Sequence, residues 1–149
     1  MPFEWYQQNL MILRMFKKNK EQVLPEIENL VNSNEREKME LACYIIRELR
    51  DESITYLYEK VLASDKESIR KNCIDCLLEL DTNNSLMLVE RAFLHENKDT
   101  QKNIIIALGE RSRSQQAVDF LMRLKGMKSQ AYNKREIAKN TDLIKKRIG

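Results

Sequence analysis

The residues that break regular structure are scarce, with three glycines and two prolines in 149 positions. Sheet folds built on many tight turns need both residues at their corners, so a turn-rich sandwich or barrel is disfavoured. Aromatic residues make up only 7%, which removes much of the usual filling of strands. The single histidine, His95, cannot supply a multi-histidine metal centre, and Gly109, Gly126 and Gly149 are too scattered to cradle a phosphate. No run approaches the roughly 18 apolar residues of a membrane span. The opening Met-Pro-Phe-Glu-Trp-Tyr has neither the basic flank nor the apolar stretch of a secretory signal, which predicts a cytoplasmic protein with no membrane partner. Neither sign of charge dominates, since 26 basic residues face 23 acidic ones for a net +3.

What is present is apolar content of 42%, enough for one buried core and a single domain over 1–149. Apolar residues recur at three- and four-residue spacing, as in Leu41, Ala42, Ile45, Ile46 and Leu49, then Ile54, Leu57, Val61 and Leu62. This is the amphipathic-helix period, and no strand-like alternation competes with it. Breaks rich in Asn, Asp and Ser, such as 32–34, 50–53, 81–84 and 111–114, supply capping side chains, and Asn34 with Glu37 has capping-box spacing. The pattern predicts helices near 3–18, 21–32, 35–49, 52–63, 66–80, 84–95, 98–111, 114–125, 129–139 and 141–148.

The segments beginning at Leu41, Asn72 and Asn103 align without gaps at an interval of 31, placing Glu48, Glu79 and Glu110 in register. The intervening helices align too, in the columns Leu24/Ile54/Leu86/Ala117, Ile27/Leu57/Val89/Phe120 and Val31/Val61/Phe93/Leu124. Ile69-Arg70 with Cys73, Ile74, Cys76 and Leu77, then Ile104-Ile105 with Ala107-Leu108-Gly109, and Leu24-Pro25-Glu26-Ile27 carry a family likeness. They resemble the short bacterial HEAT-like repeat of phycobilin-lyase subunits and related α-solenoids. That resemblance implies an all-α, right-handed solenoid of about four helix pairs, near 3–33, 34–64, 65–97 and 98–128, with a C-terminal cap at 129–149. Phe3, Trp5, Tyr6, Met11, Met15 and Phe16 have the bulk to close the first repeat.

Chemistry-bearing motifs are few. Cys73-Ile-Asp-Cys76 has the spacing of a redox or metal half-site, but no second cysteine pair exists and both residues fall in core columns, as does Cys43. All three are read as free structural thiols. His95-Glu96 resembles one dyad of an iron-dependent HEAT-repeat hydroxylase, which needs several; His95 near a helix C-terminus reads instead as a partner of the helix dipole. No spacing suggests a nucleophile triad. The chain is therefore expected to be no enzyme, with no catalytic residue, cofactor or metal.

Stepping 100° per residue from the buried columns places Pro25, Thr55, Met87 and Val118 outward, then Glu26, Tyr56, Leu88 and Asp119, then Asn29, Glu59, Arg91 and Met122. The family likeness implies that these second helices line a concave surface. Tyr56, Met87, Leu88, Val118 and Met122 are apolar where solvent favours charge, and Glu59, Arg91 and Arg123 form a rim. The expected function is an adaptor holding a protein partner in that groove. Residues 125–149 carry eight Lys/Arg against Glu136 and Asp142. This basic end allows the alternative of a nucleic-acid-binding protein, similar to HEAT-like DNA glycosylases in repeat architecture alone. A lyase-like or chaperone subunit is the third reading.

Overall fold

The computed structural model describes residues 3–149, apart from the side chains of Phe3, Trp5, Tyr6, Gln8 and Asn9. The capping role expected of Phe3, Trp5 and Tyr6 thus lies outside the described residues. The described chain is entirely helical: α1 (Phe3–Lys18), α2 (Lys20–Val31), α3 (Arg36–Leu49), α4 (Tyr58–Leu62), α5 (Glu67–Leu80), α6 (Asn83–Phe93), α7 (Lys98–Arg111), α8 (Gln115–Lys125) and α9 (Lys134–Ile148). Two 3-10 segments, Glu52–Leu57 and Lys128–Asn133, lead into α4 and α9. Contacts divide the chain into two compact units, Met1–Cys76 and Leu77–Gly149. No helix among the described residues is long and apolar enough to cross a membrane.

Burial repeats with the sequence interval. Ala42, Cys73 and Ile104 are buried, as are Cys43, Ile74 and Ile105, and Ile46, Leu77 and Leu108, while Glu48, Glu79 and Glu110 are all exposed. Of the second-helix columns, only Leu24 falls short of full burial. In the first unit α1 packs on α2 and α3, and α2 packs on α3 and α4; in the second, α7 and α8 pack on α9, and α6 packs on α8. Repeated helix-pair packing of this kind is that of a helical solenoid or bundle: one amphipathic pair leaves its stripe in water, and a neighbour removes it.

Several local expectations give way to tertiary detail. Asn34 takes a left-handed backbone, φ 56°, and α3 starts after Glu35 without a side-chain cap, so the expected box at 34–37 does not form. The capping box stands instead at Thr82 and Ser85. Arg50 and Asp81, one interval apart, end α3 and α5 with φ near 50°, where the chain must turn back; Asp tolerates that conformation better than Arg. The break expected at Asn140 is absent, because α9 runs unbroken through it.

Ion pairs tie successive pairs within each unit. Lys20 bridges to Asp51 at 2.8 Å and Arg123 to Glu90 at 2.6 Å. The Lys20 ammonium and the Ser53 hydroxyl hold the Asp51 carboxyl down to about 2. Asp81 accepts from the Ser112 hydroxyl at 2.5 Å and the Arg113 N–H at 2.9 Å, one interval away.

Candidate functional site

In the first unit, Tyr56 leaves half its surface in water and donates its hydroxyl to Glu28 at 3.4 Å. Burial, followed by the Glu28 carboxylate, pushes its phenol above the ordinary value. Glu59 is exposed, and the neighbouring Lys60 donates to Asn32 at 3.0 Å. The C-terminal half of α2 is thus joined to the 3-10 segment and α4 by polar contacts between residues 28 apart.

In the second unit, Met87 is 41% exposed and Met122 48%. Arg91 lies one turn beyond Met87, with its guanidinium 3.5 Å from the thioether. Arg123 is engaged by Glu90. Leu88 and Val118 depart from expectation: at 6% and 3% exposure they are core side chains and offer no docking surface. Thr55 is likewise buried. A second helix meets its neighbours on its flanks as well as on its core face, which widens the buried arc beyond the stripe visible in sequence. Val118 lies on α8, which packs on α6, α9 and the 3-10 turn before α9. Thr55 lies in the 3-10 segment, whose tighter winding turns it inward.

The cysteines surround a polar core contact. Tyr58 is fully buried, donates its hydroxyl to the Cys43 carbonyl at 3.0 Å, and its own carbonyl lies 3.8 Å from the Cys73 sulfur. All three cysteines are buried and none is in a disulfide. Burial, with Cys43 beside it, pushes the Cys73 thiol well above its ordinary value, so it is a poor nucleophile and metal ligand. No cluster of three or more His, Cys, Asp or Glu residues suited to a metal occurs among the described residues. Alkylation counted by mass spectrometry should leave Cys43, Cys73 and Cys76 unmodified in the native protein and modify all three in denaturant. Cys73→Ala should cost about 1 kcal/mol. Rapid native labelling of Cys73 would refute the structural assignment.

His95 is exposed just past the C-terminus of α6. A cleft of about 400 Å³ in the first unit is lined by Ile12, Glu26, Asn29, Leu30, Ser33 and Lys38. It brings together none of the expected partner residues.

The C-terminal segment holds features that helical periodicity did not expose. Arg147 donates to the carbonyls of Gly109 and Ser112, the latter at 2.8 Å, and so caps the last turn of α7 from another helix. It is a structural residue within the basic end. Gln101, only 6% exposed, accepts from Gln130 at 3.2 Å and from Tyr132, and donates to the Phe93 carbonyl at 3.0 Å. Asn133 donates to Gln130 at 3.0 Å. This network joins the start of α7 to the 3-10 turn before α9. The available signal was the interval itself, because Gln101, Tyr132 and the pair Gly109 and Asn140 stand 31 apart.

The chain matches no protein-family model, no curated protein and no solved structure.

Proposed function

We propose that the helix pairs are HEAT-like repeats of a right-handed solenoid and that the protein is a non-catalytic adaptor. Its second helices hold a protein partner, with Tyr56 on the first unit and Met87 and Met122 on the second as apolar anchors. The observation that carries this reading is the exposure of two methionines on the outer faces of α6 and α8, beside buried neighbours. An exposed thioether costs free energy in water, and its unbranched chain adapts to an apolar side chain brought by a partner. The Arg91 guanidinium beside the Met87 thioether gives that anchor a polar rim.

Met87→Ala with Met122→Ala should weaken partner capture from nuclease-treated extract about tenfold or more, while helical content and melting stay close to wild type. Tyr56→Ala tests the first unit in the same way. Undiminished capture by both variants would sink the proposal.

A further inference from the structure

The outward arc of α9 is charged in a way that folding does not require. Lys134, Arg135, Lys139, Lys145 and Lys146 are all exposed. Successive 100° steps put them on one arc of about 140°, over about 18 Å of helix. Asp142 is the one carboxylate on that arc. None of the five cations has an ion pair among the described residues. Several cations elsewhere are matched: Arg36 with Glu40, Lys38 with Glu35, Lys71 with Glu67, Arg123 with Glu90. Arg147, the next basic residue, turns inward to cap α7, so the segment is docked rather than loose.

Two of the charges act against the helix that carries them. Lys134 and Arg135 open α9, at the positive end of its dipole, where carboxylates are the stabilising choice. Arg135 and Lys139 are also four residues apart, a repulsive spacing for like charges. Lys145 and Lys146 suit the last turn, but stability gives no reason for the first pair.

We propose that this arc binds the phosphate backbone of nucleic acid without sequence preference. A protein partner needs an apolar centre to its interface, and the only apolar side chain within the arc is the small Ala138, half-buried. Stable seating of a helix in a bilayer surface adds an inserted apolar face to its cations, and the apolar face of α9, with Ile137 and Ile144, is buried in the fold. Nucleic acid needs neither, because release of its condensed counterions supplies affinity to a row of cations alone. The surface is separate from the methionine anchors and does not depend on the adaptor reading.

The test uses the full chain and a fluorescent mixed-sequence oligonucleotide, single-stranded and as duplex, followed by anisotropy. Binding by the wild type is expected to fall about 10²- to 10³-fold between about 50 and about 200 mM salt, as for four to five neutralised phosphates. The variant with all five cations changed to Gln should lose binding and its salt slope, with circular dichroism unchanged. Lys134→Glu with Arg135→Glu should also lose binding, yet melt no lower than the wild type, because the new charges suit the dipole. Met87→Ala should bind the oligonucleotide as the wild type does. No binding at low salt, or equal binding by the five-site variant, overturns the proposal. So does binding polyglutamate or anionic phosphatidylserine vesicles more tightly than the oligonucleotide.

Discussion

Replacing Gly109 with Ala is expected to destabilise the second unit by about 3 kcal/mol or more, the range of severe overpacking in a core. Gly109 lies in the last turn of α7, where α9 packs against it, and is fully buried. A Cβ there would overlap the Asn140 side chain, including its own Cβ at 2.5 Å. A change of Asn140 rotamer does not move that atom, so the backbone of α9 must shift. Asn140 is 3% exposed and donates to the Glu136 carbonyl at 2.8 Å, which resists the shift. The displacement would also pull Arg147 from the carbonyls it caps. Denaturant unfolding should show a lower midpoint, and hydrogen exchange should rise in α7 and α9 first. The double variant Gly109→Ala with Asn140→Gly should recover part of the loss despite the cost of about 1 kcal/mol for a mid-helix glycine. A single Gly109→Ala variant as stable as the wild type would show that the close approach does not exist.

Phe93→Ala should cost about 3–5 kcal/mol, the usual penalty for emptying a buried aromatic site. Phe93 is wholly buried at the end of α6, and its ring meets that of Phe120 edge to face, 5.4 Å apart at 86°. The loss therefore combines transfer free energy, a cavity, and an aromatic pair worth about 1 kcal/mol. Its carbonyl also receives Gln101, so any relaxation of the α6 terminus disturbs the polar network beneath Tyr132. Phe93→Leu, which keeps most of the volume, should cost much less. Midpoints from denaturant melts of the two variants decide the matter, and equal small losses would mean that the site is loosely packed.

The 31-residue interval made most of the helices and their buried columns legible. Val31, Val61, Phe93 and Leu124 are all buried, in agreement with a column drawn from sequence spacing alone. Of the expected surface anchors, Tyr56, Met87 and Met122 are exposed, whereas Leu88 and Val118 are not. A 100° step assigns a residue to the core side or the outer side of its own helix, and the flanks lie between. Leu88 and Val118 sit on such flanks, where burial depends on which helix is set alongside. The Thr55 error has a different origin, since a 3-10 turn advances by about 120° per residue and the α-helical step loses register.

The sequence by itself determined the helical class, the repeat, the core columns and the local excess of cations after position 125. Each rests on periodicity or composition, which act along the chain and need no neighbour. Tertiary structure alone decided that Gly109 and Asn140 are pressed together, that Arg147 turns inward to cap α7, and that Lys134, Arg135, Lys139, Lys145 and Lys146 share an outward arc without ion pairs. The first two are relations between groups on separate helices, and the third follows from α9 running unbroken through Asn140 with its opposite face buried. They depend on how closely two backbones approach and on which carbonyls that approach leaves without a donor, quantities that come into being only when α9 docks.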